Sequence, residues 1–363
     1  CGDAEVFVHE IYDGAVILGL AIFGVCWMCG WVLMRSVQPW VLQSQDTHPP
    51  AISVIVPVRN EAHNIVLLIE SLRQQIRTID EIVVVDDGST DNTLQLAQGV
   101  GARVISAGAL PEGWAGKAHA CWVGAEAALN NVLVFVDADV RFNTANKHIV
   151  RGLASSVVSQ PTALFSVQPW HKTVQIGEQA SMLFNIVSVM GSGMKTSEPL
   201  VFGPMLACMR EVYVANQGHS HASVRAQVVE DIALGRLFKQ TRVYLGTPLT
   251  CTFRMYPKGF SAVFSGFAKN IAAGAASVPI GRRVLIAAWC ASLVGGAITS
   301  PWMYLASLVQ VAMFAKRVGR FHPLVVALFP VHMLFFTVVV IKSFWDGVLR
   351  GGVRWSGRTI RTR

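Results

Sequence analysis

The sequence predicts an α/β fold in which a doubly wound, largely parallel sheet lies between transmembrane helices. Two observations predict the sheet: short apolar runs alternate with amphipathic runs, and two of the apolar runs end abruptly in carboxylates. A buried parallel strand is apolar along its length and delivers polar side chains to the carboxyl edge of its sheet. The composition predicts the membrane helices, because 52% of the 363 residues are hydrophobic and only 14% are charged.

The first predicted element is a membrane anchor at residues 14–34, an uncharged run of about the 20 residues that span a bilayer. The run is too long for the core of a signal peptide and has no convincing small-residue cleavage site. We therefore expect a retained anchor, with residues 1–35 forming an extracytoplasmic N-terminus and the first transmembrane helix.

Strands and helices then alternate along residues 50–255, which we expect to form a cytosolic domain. The predicted strands are residues 52–58, 82–85, 102–105 and 132–136. The first predicted helix begins at Asn60-Glu61, and apolar residues recur at helical spacing from Ile65 to Leu72. This βαβαβαβ order favours a doubly wound, largely parallel sheet.

Carboxylates end two of the predicted strands. Asp86 and Asp87 follow the second strand, and Asp137 and Asp139 follow the fourth. We expect them to line a site, because open α/β sheets bind ligands at the carboxyl edge. Asp137 and Asp139 lie on the same side of an extended chain, a spacing that suits one divalent cation bridging to a diphosphate. Together the two clusters predict a nucleotide-diphosphate site.

The loop at residues 110–117 is a candidate phosphate-binding segment. Its glycines allow close approach of the backbone to a ligand, and Gly116-Lys117 at a helix start would aim amides and one ammonium at a phosphate. Alternatively, the glycines only form a turn and Lys117 is solvated. The position of the loop between two carboxylate-tipped strands favours the phosphate site.

Glu230 and Asp231 stand at the head of a predicted helix, residues 232–238. Acidic residues at a helix N-terminus ordinarily offset the helix dipole. A catalytic base would look the same locally, so both interpretations stay open. His219 and His221 are interpreted as loop residues rather than metal ligands.

Two apolar stretches in the C-terminal third predict further transmembrane helices, within residues 284–342. Residues 284–315 could be one long tilted span or a hairpin with Pro301 at its turn. Residues 323–341 form the next span. Residues 343–363 are a basic tail that we expect in the cytosol.

The charge distribution predicts the orientation in the membrane. Arg35 follows the first span and arginines fill the C-terminal tail, and basic flanks stay in the cytoplasm. We therefore expect a multi-pass protein of the plasma membrane with residues 35–283 and the tail inside the cell. Lys316, Arg317 and Arg320 conflict with this arrangement.

The formal net charge of +8 does not predict nucleic-acid binding. Much of the excess lies beside apolar spans, where anionic lipid headgroups explain it, and no nucleic-acid motif accompanies it. Residues 256–283 are expected to lie in the membrane interface, where the chain would meet a lipid. One helical face there carries Phe260, Val263, Phe264, Phe267 and Ile271. The alternative is that these residues pack against the sheet.

Four motifs, in order, resemble those of the family 2 glycosyltransferases of the GT-A fold. They are Val56-Pro57-Val58-Arg59-Asn60-Glu61, Asp86-Asp87-Gly88-Ser89-Thr90-Asp91, Asp137-Ala138-Asp139 and Glu230-Asp231. Within that family, residues 110–117, 254–256 and 351–359 resemble membrane-anchored enzymes of the carotenoid-acid (diaponeurosporenoate) and hopanoid-associated type. The resemblance implies the GT-A fold, an α/β fold with a doubly wound mixed, mostly parallel sheet.

The resemblance also implies roles for individual residues. The nucleotide-sugar site would comprise Pro57, Arg59, Glu61, Asp86, Asp87, Gly116, Lys117, Asp137 and Asp139. Asp139 would be the direct ligand of Mg²⁺ or Mn²⁺, which offsets charge on the departing nucleoside diphosphate. Asp231, beside Glu230, would be the general base of an inverting transfer from a nucleotide-diphospho-sugar, expected to be a UDP-sugar.

One departure from the family pattern concerns the length of the product. Members that build polysaccharides carry Gln-x-x-Arg-Trp after the Glu-Asp motif, and this chain has residues 264–270 in the corresponding region without that motif. We infer one sugar transfer to a lipid or isoprenoid acceptor. The alternatives are a short-chain polysaccharide synthase and an inactive nucleotide-sugar-binding scaffold, against which the intact Asp137, Asp139 and Asp231 argue.

Overall fold

A seven-stranded mixed sheet lies at the centre of the protein in a computed structural model that describes residues 2–41, 50–227, 229–350, 352–355 and 358–361. The strands are β1 Ile52–Val58, β2 Glu81–Asp86, β3 Arg103–Ser106, β4 Val132–Val136, β5 Val140–Phe142, β6 Ala163–Gln168, β7 Trp170–Lys172, β8 Met205–Met209, β9 Gln240–Leu245, β10 Cys251–Phe253, β11 Gly319–Arg320, β12 Gly352–Trp355 and β13 Arg358–Arg361. The central sheet has the order β3-β2-β1-β4-β8-β6-β9. A smaller sheet has the order β11-β7-β10-β5, and β12 pairs with β13.

The four strands predicted from apolar runs are confirmed as β1 to β4. Their three pairings and that of β6 with β9 are parallel, whereas β8 runs antiparallel to both β4 and β6. The sheet is therefore mixed and mostly parallel. Pro57 is compatible with the central strand β1 because the pairing of β1 with β4 covers residues 52–55, and Pro57 lies beyond it.

The helices are α1 Gly2–Met34, α2 Ile65–Arg73, α3 Thr93–Gly99, α4 Gly116–Ala127, α5 Ile149–Ser159, α6 Met182–Ser192, α7 Arg210–Ala215, α8 Glu230–Gly235, α9 Phe260–Ser277, α10 Ile280–Thr299, α11 Pro301–Val318, α12 Pro323–Ala327 and α13 Phe329–Arg350. Short 3₁₀ helices occur at Ile176–Ser181 and Gly218–Ser220. On one face of the central sheet, α2 and α5 pack on β1 and β4. On the other face, α4 and α6 form a core that continues into α1, α10 and α11.

The predicted helix start at Asn60 is wrong, since α2 begins at Ile65. Asn60 has a positive φ of 58°, a conformation that ends regular structure and that asparagine tolerates better than most residues. Its side-chain oxygen accepts a hydrogen bond from the backbone N–H of Thr90 at 2.7 Å. Long-range bonding to the next loop therefore replaces the first helical turn. The helix after Asp231 is also shorter than predicted and ends at Gly235.

Three helices of the described chain are long and apolar enough to cross a membrane, over Gly14–Met34, Ile280–Thr299 and Phe329–Asp346. The apolar stretch at residues 284–315 has the hairpin form. It divides between α10 and α11 at Ser300, and Pro301 occupies the first turn of α11, where its missing N–H costs no hydrogen bond.

Specific hydrogen bonds join the candidate spans α1 and α10 to α11, and join the end of α1 to the sheet. The Trp289 indole donates to the Gln310 side-chain oxygen at 2.8 Å, and the Gln310 amide donates to the Trp27 carbonyl at 3.0 Å. Past the end of α1, the Trp40 N–H donates to the Leu245 carbonyl at 2.7 Å. The anchor therefore continues directly onto the edge strand β9.

Close packing of α1 on α10 depends on Gly30. A Cβ atom at Gly30 would lie 2.5 Å from the buried ring of Trp289, whereas one at Gly24 would meet no atom within 4 Å. We expect Gly30→Ala to destabilise the folded protein by about 1 to 3 kcal/mol through overpacking. Gly24→Ala should be neutral or slightly stabilising, since alanine has the higher helix propensity. Thermal unfolding of purified protein in detergent measures both, and equal midpoints for the two variants would contradict the packing.

Candidate functional site

A cleft of about 610 Å³ opens at the carboxyl edge of β1, β2 and β4. Its lining includes most of the side chains predicted to form the site, namely Pro57, Arg59, Glu61, Asp87, Lys117, Asp137, Asp139 and Glu230. The parallel strands end at the same edge, which is why residues distant in sequence meet there. Three predicted site residues, Asp86, Gly116 and Asp231, lie outside this lining.

Asp86 stabilises the turn next to the cleft, and its own side chain does not line the cleft. Its buried carboxylate accepts hydrogen bonds from the backbone N–H groups of Gly88 and Ser89, each at 3.1 Å, and so fixes the turn after β2. Asp86 was predicted to belong to the nucleotide-sugar site, and its side chain lies outside the cleft lining. The neighbouring Asp87 lines the cleft, and its carboxylate lies 3.3 Å from the guanidinium of Arg59.

Gly116 allows the start of α4 to approach Asp87. A Cβ atom at position 116 would lie 2.1 Å from an Asp87 carboxylate oxygen. Glycine is therefore needed at position 116 because a larger side chain would clash with Asp87, and not only because the chain turns there. Lys117, the next residue, consequently enters the cleft.

Lys117 joins the two acidic motifs. Its ammonium lies 2.8 Å from an Asp137 carboxylate oxygen and 3.2 Å from a Glu230 oxygen. Burial alone would lower the pKa of Lys117, but the charges of Asp137 and Glu230 outweigh burial and hold the pKa well above its usual value. The lysine is therefore a permanent cation, and the alternative of a solvated surface lysine is wrong.

Asp231 lies beside Glu230 at the start of α8, half-buried against Gly203. A Cβ atom at Gly203 would lie 3.2 Å from both the Asp231 carboxylate and the Lys117 ammonium, so these two groups share one wall. Burial first, and the charge of Glu230 second, raise the pKa of Asp231 to about 7. A carboxylate with a near-neutral pKa is suited to accept a proton in catalysis.

Asp137 and Asp139 offer the oxygen ligands that Mg²⁺ and Mn²⁺ take. Burial, followed by the charges of Asp137 and Glu61, raises the pKa of Asp139 to about 7. A divalent cation would offset the negative charge of these neighbouring carboxylates, so Asp137 and Asp139 fit such an ion. No cluster of three or more acidic, histidine or cysteine side chains suited to a metal occurs in the described residues. A cation here would take its other ligands from phosphate oxygens and water, as Mg²⁺ commonly does.

The small sheet supplies a second wall that the sequence did not predict. Phe253 of β10 pairs with Val140 of β5, directly after Asp139, and so places residues 254–258 beside the acidic edge. Arg254, Tyr256, Lys258 and, from α9, Lys269 line the cleft on this side. Arg254 is held by the buried carboxylate of Glu178. The sequence feature that could have indicated this wall is the presence of these basic residues within an otherwise apolar segment.

The apolar face of α9 is divided between packing and exposure. Val263 and Phe267 are buried against Phe184 and Val339, whereas Phe260 is 55% exposed. Packing therefore accounts for part of the pattern at residues 260–271. His219, in turn, is buried and hydrogen-bonded to the Tyr213 hydroxyl at 2.8 Å, away from the cleft lining.

Comparison with known proteins adds an independent finding. The family described as Glycosyl transferase family 2 matches residues 53–149. A 4,4'-diaponeurosporenoate glycosyltransferase of Staphylococcus haemolyticus (strain JCSC1435) is 32% identical over 85% of this chain and 88% of its own. A 4,4'-diaponeurosporenoate glycosyltransferase of Staphylococcus aureus (strain USA300) is 31% identical over 91% of this chain and 93% of its own. The solved mannosyltransferase of Pyrobaculum calidifontis, in complex with GDP-Man and Mn²⁺, has a TM-score of 0.58 and 19% identity, and covers 92% of this chain and 98% of its own.

The raised pKa of Asp139 predicts how cation binding depends on pH. Below its pKa of about 7, protons compete with the cation for the Asp139 carboxyl, so binding should strengthen as the pH rises through 7 and then level off. We expect the apparent Kd for Mn²⁺, measured calorimetrically with UDP present, to fall about tenfold from pH 6 to pH 8. Asp139→Asn should weaken binding and remove most of this dependence. A wild-type Kd that stays constant over this range would contradict the assignment.

Proposed function

Because the chain belongs to the family 2 glycosyltransferases, we propose that it transfers one sugar from a nucleotide-diphospho-sugar to a carotenoid-type acid at the membrane. A UDP-sugar is the expected donor, and the reaction is metal-dependent and inverting. The proposal rests mainly on one observation: the Asp137–Lys117–Glu230 cluster lies in a cleft whose far wall is the helix that packs against a candidate membrane span. The names of the relatives support the acid acceptor.

Asp137 and Asp139 would hold Mg²⁺ or Mn²⁺, and the Mn²⁺ of the solved mannosyltransferase supports this choice. The ion would offset charge on the departing nucleoside diphosphate. Lys117 would also offset charge on the nucleoside diphosphate, since its ammonium has three donors and can bind a phosphate oxygen beside Asp137. The amides at the start of α4 would add partial positive charge.

The transfer is a single displacement at the anomeric carbon. An acceptor oxygen forms the new bond to that carbon, while the bond from the carbon to the diphosphate oxygen breaks and the nucleoside diphosphate leaves with its electron pair. Attack from the opposite face inverts the configuration. With a hydroxyl acceptor the proton goes to the Asp231 carboxylate. A carboxylate acceptor has no proton to lose at neutral pH.

Asp231→Asn separates these two acceptor chemistries. We expect turnover of an isoprenoid alcohol to fall by about two to four orders of magnitude, the usual range for a positioned base. Turnover of the corresponding isoprenoid acid should fall far less. Purified enzyme assayed with all-trans-retinol and all-trans-retinoic acid measures both rates. Unchanged turnover of the alcohol by the Asn variant would remove Asp231 from the base role.

The orientation of the domain in the plasma membrane is part of the proposal. A cytosolic donor requires residues 50–255 inside the cell, with residues 256–283 at the membrane interface. Glu112 lies on an exposed loop of this domain. In a background without native cysteines, Glu112→Cys should resist a membrane-impermeant thiol reagent in intact cells and react after permeabilisation. Labelling of intact cells would place the domain outside and would contradict a cytosolic donor.

A further inference from the structure

Two lysines line the cleft from the side of α9, opposite the metal-binding carboxylates. Lys258 precedes α9, and Lys269 lies within it. The proposed function gives neither of them a task, because the donor diphosphate is served by Lys117 and a cation. Both ammonium groups can reach a ligand that enters the cleft from the side of α9.

The position of Lys269 follows from the packing of α9. Ala262, Gly266 and Lys269 share one helical face by their spacing, and Ala262 and Lys269 both line the cleft. At Gly266 the helix presses against Tyr256, since a Cβ atom there would lie 2.2 Å from the tyrosine ring. Because Tyr256 also lines the cleft, this contact holds the Lys269 face of the helix toward the site.

The other face of α9 contacts a candidate membrane span. Phe267 stacks on Phe184 with ring centroids 4.2 Å apart, and Phe260 lies 4.5 Å from the ring of Phe335 in α13. Phe335 lies within the candidate span Phe329–Asp346. Of these rings, Phe260 is 55% exposed and Phe335 is half-buried, so an apolar molecule that leaves the bilayer can lie along these two. Lys258 and Lys269 line the cleft that α9 separates from this surface.

Electrostatics favour a cation at this place for one class of acceptor. Three other cations line the cleft, but each is paired with a carboxylate: Arg59 with Asp87, Lys117 with Asp137 and Arg254 with Glu178. The cleft is lined by five carboxylates, those of Glu61, Asp87, Asp137, Asp139 and Glu230. An anionic acceptor would be repelled by them, whereas an alcohol would not. Burial lowers the pKa of Lys269 to about 8, and the charge of Glu230 acts in the opposite direction. The amine is therefore still mostly protonated at neutral pH.

We propose that Lys269, assisted by Lys258, binds the carboxylate of an apolar acid acceptor and thereby selects acids over alcohols. This inference rests on the proposed function, since it names the residues that recognise its acceptor. An ammonium has three donors, so Lys269 can bind a carboxylate while it keeps a partner within the protein. The bound carboxylate faces the acidic edge, where the sugar is delivered, and its apolar tail lies along Phe260 and Phe335.

A binding experiment tests the proposal without turnover. Full-length protein in detergent, with UDP and Mn²⁺ present, is titrated with all-trans-retinoic acid, all-trans-retinol and farnesyl phosphate. We expect wild type to bind the acid roughly 10- to 100-fold more tightly than the alcohol, the range of one hydrogen bond to a charged group. Lys269→Met should lose most of this preference, and Lys258→Met part of it. Lys269→Arg should retain it.

Two controls separate recognition from folding. Lys239→Met removes an exposed lysine outside the cleft lining and should leave the preference for the acid unchanged. The Kd for UDP with Mn²⁺ should be the same in Lys269→Met as in wild type, which shows that the cleft is intact. A Lys269→Met variant that lacks UDP binding is replaced by Lys269→Gln in the same titration.

Several outcomes would overturn the inference. These are equal binding of acid and alcohol by wild type, preference for the phosphate over the acid, and an acid preference that survives Lys269→Met. Each leaves the glycosyltransferase reaction itself untouched. Failure of the proposed function would instead appear as absence of sugar transfer to any lipid acceptor, whatever the binding preference.

Discussion

The ammonium of Lys117 is the interaction on which the site depends. Five carboxylates line the cleft at one edge of the sheet, and Asp231 lies beside them. Burial raises the pKa of Asp137, Asp139 and Asp231. Like charges in a buried place repel, so the arrangement needs positive charge to persist. Lys117 supplies it by bonding Asp137 and Glu230 together, and so joins α4, β4 and α8. The surplus of negative charge that remains is suited to a divalent cation.

The scaffold fixes this edge relative to the membrane helices. The core on one face of the sheet is continuous with α1, α10 and α11, and the chain past α1 bonds to the edge strand β9. Arg317 adds a further connection by donating to the Met34 carbonyl at 3.3 Å and the Val37 carbonyl at 3.2 Å. Because the cleft lies between α9 and the sheet, the proposed lipid acceptor and soluble donor would meet at a fixed point.

Much of the central fold could be predicted from the sequence, because β1 to β4 are apolar along their length and end in carboxylates. The features that depend on contacts between residues distant in the sequence could not be predicted. The start of α2 differs from the prediction because the Asn60 side chain accepts a hydrogen bond from Thr90, in the loop after β2. Asp86 and Asp87 are neighbours in an extended segment, so their side chains point opposite ways, and only the folded chain decides which one faces the cleft. The apolar sequence of the antiparallel strand β8 does not differ from that of a parallel strand, so its direction could not be predicted.

The same limit applies to the second wall of the site. Lys117, Asp137 and Glu230 were all recognised as site residues, but their mutual contact depends on tertiary packing. Lys258 reaches the cleft because β10 pairs with β5, and no local pattern indicates that pairing. Lys269 reaches it because α9 packs on Tyr256. The residues proposed to bind the donor can thus be recognised from sequence motifs, whereas the position of Lys269, proposed to bind the acceptor, depends on how α9 packs.

The most direct test of the function is mass spectrometry of lipid extracts from cells that produce the protein and from cells that produce the Asp139→Asn variant. The proposed single transfer predicts a lipid in the first extract that is heavier than an apolar acid by one sugar residue and is lost in the second. A ladder of sugar masses on one lipid would contradict the single transfer. Identical extracts would contradict the enzymatic role.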